Sequence, residues 1–300
     1  FLSRSVYYII GAKGGSNMEK NYRAELVGVF GDPVDGNPTG VLEEAGFAAL
    51  GLNYRYLTMK VTPEDFDTAM KSLKALHMKG INLTMPHKIA VLPYLDEISP
   101  AARIIGAVNT VVVREGRLIG DNTDGKGFVQ ALQMEHVPLE GKKVVLLGAG
   151  GAAKAIAVEC ALAGAASVTI FNRSAAHGEE LAQTVREHTD AQAFYQPWEA
   201  GQAIPEGTDI LINATPIGFH PDASKKPDID YDTVTASMTV SDVVFNPDVT
   251  EFLKAAAARG AKTISGLGML VCQGALNFTI WTGKEAPYDV MYEALKKEFA

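Results

Sequence analysis

Cysteine is nearly absent: Cys160 and Cys272 are the only two in 300 residues. Two isolated thiols in small or apolar surroundings build neither a disulfide framework nor a thiolate metal site, and they suit a reducing cytoplasm. Long apolar runs are lacking too. A membrane-crossing helix needs about 20 consecutive apolar residues, and the longest apolar segment, Val144 to Phe171, is broken by Lys154, Glu159 and several glycines. No membrane partner is expected. Basic blocks are also missing, with 27 Lys+Arg against 35 Asp+Glu, a net charge of −8, and clusters that stop at pairs such as Lys142-Lys143 and Lys225-Lys226. A surface for the phosphate backbone needs a basic stripe, so nucleic acid is not an expected partner. The six histidines (77, 87, 136, 177, 188 and 220) show no ligand spacing, which argues against a metal. His87 reads as a local structural residue.

With 47% hydrophobic and 21% charged residues and 29 glycines, the chain is an ordinary globular one, long enough for about two domains and most naturally α/β. Residues 1–17 begin without Met and carry a short apolar patch, Val6 to Ile10, followed by glycines. They read as a leader or expression remnant, with Met18 the natural start.

The first region mixes short strands and helices. Ala24 to Phe30 is a buried strand stopped by Gly31-Asp32-Pro33. Thr62-Pro63-Glu64-Asp65 reads as a helix start with Thr62 at the N-cap, followed by an apolar stripe of Phe66, Met70, Leu73 and Leu76. Ile81 to Thr84 is strand-like, and Val108 to Val113 with Leu118 to Gly120 forms a hairpin around Glu115-Gly116. After Gly141 the alternation becomes regular: strands at 142–147, 168–171, 209–213, 239–244 and 262–264, helices at 152–163, 174–187 and 250–259. That pattern implies a parallel sheet covered on both faces. Two further helices, 269–282 and 288–299, close the chain.

Gly148-Ala149-Gly150-Gly151-Ala152-Ala153 fits G-x-G-x-x-A directly after a strand and at the opening of a helix. Gly148 permits the tight turn, Gly150 lets the backbone approach a pyrophosphate, and the helix N–H groups face the anion. The second strand of this unit ends in Phe171-Asn172-Arg173-Ser174, where NAD enzymes usually place a carboxylate for the ribose hydroxyls. A guanidinium, an amide and a hydroxyl suit a 2′-phosphate instead, so NADP is favoured over NAD. Gly120 to Gly127 comes within one residue of a P-loop and fails chemically. Gly127 stands where a hydroxyl is needed, and Asp121 and Asp124 would put negative charge in the cradle. It reads as a polar turn before a helix over 125–133, with Asp124 near the helix N-terminus. Lys88, in apolar surroundings, and Asn109, in an apolar strand, are the remaining candidates for chemistry.

Taken together, these residues resemble the shikimate dehydrogenases, including the quinate/shikimate dehydrogenases. The matching blocks are Gly28 to Val34, Asn82 to Lys88, Gly106 to Thr110, Asn122 to Gly125, Gly148 to Ala153, Phe245-Asn246-Pro247 and Gly266 to Gly274, in order along nearly the whole chain. The resemblance implies an N-terminal α/β substrate domain (18–122 and 266–300) and a Rossmann-type NADP-binding domain (123–265), with catalysis in the cleft between them. It implies Lys88 and Asp124 as the proton-transfer pair, and Asn37, Thr39, Thr84, Asn109, Phe245 and Gln273 as substrate contacts. For the cofactor it implies Gly148, Ala149, Gly150, Gly151, Ala152, Asn172, Arg173, Ser174, Thr215, Val243 and Gly266. The implied reaction is NADP-dependent reduction of 3-dehydroshikimate to shikimate, in aromatic amino-acid biosynthesis. A paralogue acting on quinate or another cyclic polyhydroxy acid is the alternative, and a non-catalytic NADP-binding sensor the third reading. Gly125–Gly127 and Gly266–Gly268 are candidate hinges, and a homodimer is the assembly carried as an expectation.

The departures concern the substrate. Where the family commonly has Ser-x-Ser for a carboxylate, this chain has Asn37-Pro38-Thr39. Its usual His-Asn pair is Glu43-Glu44 here, and Phe245 replaces a tyrosine, removing one hydroxyl.

Overall fold

The computed structural model describes residues 21–299; the segment read as a leader, and Met18, lie outside the described residues. Two six-stranded sheets organise the chain. The first contains β1 (Glu25–Gly31), β2 (Tyr54–Lys60), β3 (Gly80–Leu83), β4 (Glu97–Ile98), β5 (Thr110–Arg114) and β6 (Arg117–Asp121), in the order β2-β1-β3-β5-β6-β4. β1 runs parallel to β2 and β3, and β5 is antiparallel to both β3 and β6. The second contains β7 (Lys143–Leu147), β8 (Ser167–Asn172), β9 (Gln192–Pro197), β11 (Ile210–Asn213), β13 (Thr239–Asp242) and β14 (Lys262–Ile264), all parallel. A small parallel pair, β10 (Gln202–Ala203) and β12 (Ile229–Asp230), stands apart. The order β14-β13-β11-β7-β8-β9 is the doubly wound nucleotide-binding arrangement, whose ligand crevice lies beyond the strand ends where the order reverses, here between β7 and β11.

The helices are α1 (Thr39–Ala49), α2 (Phe66–Ala75), α3 (His87–Ala90), α4 (Pro100–Ile105), α5 (Thr123–Met134), α6 (Gly151–Leu162), α7 (Ala175–His188), α8 (Glu251–Ala258), α9 (Gly266–Thr282) and α10 (Tyr288–Glu298). α6 and α7 cover one face of the second sheet, where Ile156, Val158 and Val185 pack with Leu146 and Ile170. Phe252 and Leu253 of α8 cover the other face, against Val145 and Leu211. The last two helices return to the first sheet: Leu267, Val271 and Phe278 of α9 and Met291 and Leu295 of α10 share a core with Val27, Leu42 and Phe47.

Several local expectations change. α2 begins at Phe66, and Thr62 instead closes a turn by accepting from the Asp65 N–H at 3.4 Å. Phe66, Met70 and Leu73 are buried, but Leu76, just beyond the last turn, is 58% exposed. The N-cap of α5 is Asn122, whose side chain accepts from the Asp124 N–H at 3.1 Å. Asp124 therefore sits inside the first turn with its carboxylate released from capping. α1 and β2 carried no individual sequence expectation.

Three of the four glycines named as candidate hinges, Gly125, Gly127 and Gly266, are closely packed. A Cβ on Gly125 would lie 2.3 Å from the Ala155 carbonyl oxygen, one on Gly127 2.7 Å from the Gln273 nitrogen, and one on Gly266 2.6 Å from the Val243 carbonyl oxygen. Gly127→Ala therefore forces α5 and α9 apart, with an expected cost of about 1–3 kcal/mol. Gly268→Ala, whose nearest neighbour would be 3.6 Å away, serves as the control and stays neutral or gains from helix propensity. Urea unfolding of the two variants checks the contrast.

Candidate active site

The ends of β1 and β3, the start of α1, α3, and the first turns of α5 and α9 converge on a cleft of about 260 Å³. Asn37, Thr39, Thr84, Lys88, Asn109, Asp124, Ala152, Val243, Phe245, Gly266 and Gln273, all expected from the sequence, line it. Residues from 37 to 273 thus meet in one site between the two sheets.

At its centre Lys88 Nζ donates to Asp124 Oδ2 at 2.6 Å. The other carboxylate oxygen accepts from Asn109 Nδ2 at 2.7 Å. Asn109 is itself fixed: Nδ2 also donates to Thr123 Oγ1 at 3.0 Å, and Oδ1 accepts from the Thr123 N–H at 2.8 Å. Asn109, expected to contact substrate, lines the cleft and also orients Asp124. The Lys88 side chain keeps 30% exposure, so the ammonium reaches solvent as well as the cleft. Its apolar walls are fewer than expected, because neighbouring Ile89 is exposed while Leu83 and Val91 are buried. His87 is structural, donating from Nε2 to the Val61 carbonyl at 2.7 Å and stacking on Phe66. The false phosphate loop is explained by an ion pair, since Lys126 Nζ contacts Asp121 at 2.6 Å.

Sequence reasoning missed the polar chain behind this pair. Tyr56 Oη donates to Asn82 Oδ1 at 2.9 Å, Asn82 Nδ2 donates to Thr110 Oγ1 at 3.0 Å, and Thr110 Oγ1 donates to Asn277 Oδ1 at 2.7 Å. Asn277 Nδ2 then donates to Gln273 Oε1 at 3.2 Å. Asn82 carried the same signal as Asn109, an amide in an otherwise apolar strand, and Asn277 lies one helical turn beyond Gln273.

At the outer end, Asn37 Oδ1 accepts from the Thr39 N–H at 3.0 Å, which leaves the Asn37 Nδ2 donor out of that contact. Phe245 packs edge-on to Phe219, with centroids 5.2 Å apart, and against Phe299 at 5.6 Å. This wall is apolar.

The nucleotide side fits the fingerprint. Gly148 has φ +105°, which only glycine adopts easily. Nothing stands within 4 Å of a Cβ at Gly150 or Gly151, and Gly150 caps α6 without any side-chain hydrogen bond. The backbone at the N-terminus of α6 is therefore open to close approach by an anion. Thr215 closes the turn, its Cγ2 lying 2.9 Å from where a Gly148 Cβ would stand. Past β8, Arg173 lines a separate cleft with Trp198, Lys225 and Lys226. Asn172 and Ser174 shape this corner: Asn172 Nδ2 donates to the Ser174 carbonyl at 2.9 Å, and Ser174 caps α7.

Asp242 at the end of β13 supports the nicotinamide side. It accepts from Thr250 Oγ1 (2.7 Å), Asn213 Nδ2 (2.9 Å) and the Val244 N–H (3.0 Å), tying down the segment that carries Val243 and Phe245. Burial nevertheless raises its pKa from 3.8 to about 6. Because the folded value exceeds the unfolded one, its contribution to stability is full below about pH 4 and is lost as pH rises through about 6. That gap corresponds to about 3 kcal/mol. Unfolding free energies at pH 4 and 7 should differ between wild type and Asp242→Asn by this slope, which the variant lacks.

Among the described residues, no group of three His, Cys, Asp or Glu stands where it could hold a metal, and no helix is long and apolar enough to cross a membrane. A doubly wound sheet with a glycine turn, joined to a second sheet by a cleft holding a lysine–aspartate pair, defines a nicotinamide-dependent oxidoreductase acting on a CH–OH group.

The chain belongs to the shikimate dehydrogenase family. The family models for the shikimate dehydrogenase substrate binding domain, for shikimate / quinate 5-dehydrogenase and for the shikimate 5′-dehydrogenase C-terminal domain match residues 29–111, 130–242 and 266–296. It is 44% identical over 285 residues to shikimate dehydrogenase (NADP(+)) of Desulforamulus reducens, covering 93% of this chain and 97% of that one. Among solved structures, ligand-free 5-ketofructose reductase of Gluconobacter sp. strain CHM43 is 46% identical with TM-score 0.90, covering 93% of this chain and all of the other. Shikimate 5-dehydrogenase of Listeria monocytogenes, in complex with shikimate and NAD, is 35% identical with TM-score 0.86, covering 92% and 98%.

Proposed function

We propose that the chain catalyses the reversible NADP-dependent reduction of 3-dehydroshikimate to shikimate, with residues 18–122 and 266–300 as the substrate domain and 123–265 as the NADP domain. The observation that carries this is the Lys88–Asp124–Asn109 arrangement, opening into the same cleft as Val243 and Gly266. Bound NADPH supplies the hydride. Asp124, held by Asn109, keeps the Lys88 ammonium aimed at the carbonyl oxygen, where it polarises the C=O and gives its proton to the developing alkoxide. Solvent then returns a proton to Lys88 through its exposed edge. Oxidation reverses these steps, with Lys88 taking the hydroxyl proton. Thr84 and Gln273 contact the substrate hydroxyls, and Asn37 and Thr39 meet its carboxylate.

A second reading, reduction of an uncharged polyhydroxy ketone, is favoured by one observation: the Asn37/Thr39 end offers an amide and a hydroxyl and no cation. The Gluconobacter relative, named for 5-ketofructose, points the same way, whereas quinate fits the first reading. Steady-state kcat/KM with NADP⁺ and shikimate or quinate, and with NADPH and 5-keto-D-fructose, decides. Shikimate as the best substrate supports the first reading, and turnover confined to the uncharged ketone replaces it with the second. Both free thiols are buried, consistent with the proposed cytoplasmic setting, and a homodimer is the proposed assembly.

A further inference from the structure

Glu43 is a carboxyl group without a visible task. It lies on the inner face of α1, with 0% exposure, and neither Oε1 nor Oε2 has a hydrogen-bond partner. A buried polar group left unpaired costs free energy, and such groups call for an explanation. Glu43 stands one helical turn after Thr39, a separation of about 6 Å between Cβ atoms on one helix face. Thr39 lines the substrate cleft. On β2, Tyr56 feels the Glu43 carboxyl directly and anchors the polar chain through Asn82.

The charges around Glu43 are all of one sign. On its own helix, Glu44 raises its pKa further, in addition to the larger effect of burial. β2 brings Tyr56, while α9 and α10 bring Phe278 and Met291 against the next turn at Gly46. Among the described residues, no ion pair reaches Glu43. An anion seated at Thr39 would share a dry region with this carboxyl, and two like charges at such range cannot both ionise without a large penalty.

We propose that Glu43 is the charge discriminator of the pocket: a carboxylate sits between Asn37 and Thr39 only while Glu43 keeps its proton, whereas an uncharged hydroxyl-bearing group binds there regardless. Glu43 acts through Thr39 and Tyr56 and is a positioning residue for specificity. The inference rests on the proposed NADP-linked reaction and deepens it, by tying the choice between acidic and uncharged substrates to one side chain.

The test compares wild type, Glu43→Gln and Glu43→Met for shikimate with NADP⁺ and 5-keto-D-fructose with NADPH, as full pH profiles over the range in which the protein stays folded. In wild type the ratio of the shikimate KM to the 5-keto-D-fructose KM is expected to rise tenfold or more with pH, with the change in KM rather than kcat. Lys88 gives a proton in one direction and takes one in the other, so its own pH dependence stays in the ratio and is read from the two variants, in which Lys88 is unchanged. The wild-type rise is expected to exceed theirs tenfold or more, and a pH dependence of equal size in wild type and variants overturns the proposal. Glu43→Met removes an unpaired buried acid and is expected to raise Tm, so it keeps the test alive if Glu43→Gln misfolds. If wild type turns over only one substrate or neither, calorimetric binding of both compounds to the NADP-loaded proteins replaces KM, with the same criteria. Absence of all turnover then counts against the proposed reaction, while the binding ratio still decides the role of Glu43.

Discussion

Replacing Lys88 by alanine is expected to lower kcat by about 10²–10⁴-fold, the span that a positioned general acid–base group contributes. The 2.6 Å contact with Asp124 Oδ2 leaves Lys88 as the amine aimed into the cleft. Asn109 holds the other oxygen of Asp124 and is itself fixed by Thr123, independently of Lys88. Truncation therefore removes the proton donor without collapsing the network. NADP binding, which we assign to the glycine turn and Arg173, should persist. Stopped-flow measurement of NADPH oxidation gives the chemical step, and fluorescence titration gives NADPH affinity. A variant with near wild-type kcat would remove Lys88 from the mechanism, and one with lost NADPH affinity would assign it a binding role instead.

Arg173→Ala is expected to raise the KM for NADP⁺ about 10–100-fold and to change that for NAD⁺ little. A hydrogen bond to a charged group is worth about 1.5–3 kcal/mol, and a guanidinium meets a phosphate with two such bonds when geometry allows. Arg173 lines its own cleft, and Lys225 and Lys226 share it, so part of the attraction survives the substitution. Lys225 also pairs with Asp222 at 2.8 Å, and Lys226 lies 4.2 Å from the centre of the Tyr231 ring. The effect should shrink as ionic strength rises, because the site is open to solvent. Equal changes for both dinucleotides would instead place Arg173 on the shared part of the cofactor.

The doubly wound half was legible because its information is local. A buried strand, a glycine turn and an Ala-rich helix follow one another within about thirty residues, and β7, Gly148–Gly151 and α6 appear in that order. Lys88, Asp124 and Asn109 took their roles from short blocks that resemble the family's, since their residue types alone left those roles open. What stayed hidden depends on distant contacts. Asp124 inside the first turn of α5 rather than at its cap follows from Asn122, one hydrogen bond that spacing does not reveal. The contact of Asn109 with Asp124 reaches across the β5–β6 hairpin, and the chain from Tyr56 through Asn82 to Asn277 joins residues more than 200 positions apart. Gly125 and Gly127 resemble a hinge in sequence and act as contact points in space, because what decides is the Ala155 or Gln273 backbone on the opposite side. Glu43 stands in sequence only as a departure from the family's His-Asn pair, and its burial appears only once α1 turns it inward.

The return of α9 and α10 to the first sheet fixes an order of events at the ribosome. Val27, Leu42 and Phe47 complete their core with Val271, Phe278, Met291 and Leu295. Every residue of the second sheet is translated between them. At roughly 5–20 residues per second, the nascent amino-terminal sheet waits roughly 10–30 s with an apolar face uncovered. During that interval it is the natural client of a chaperone, and a chain cut short before residue 266 would stay in that condition permanently.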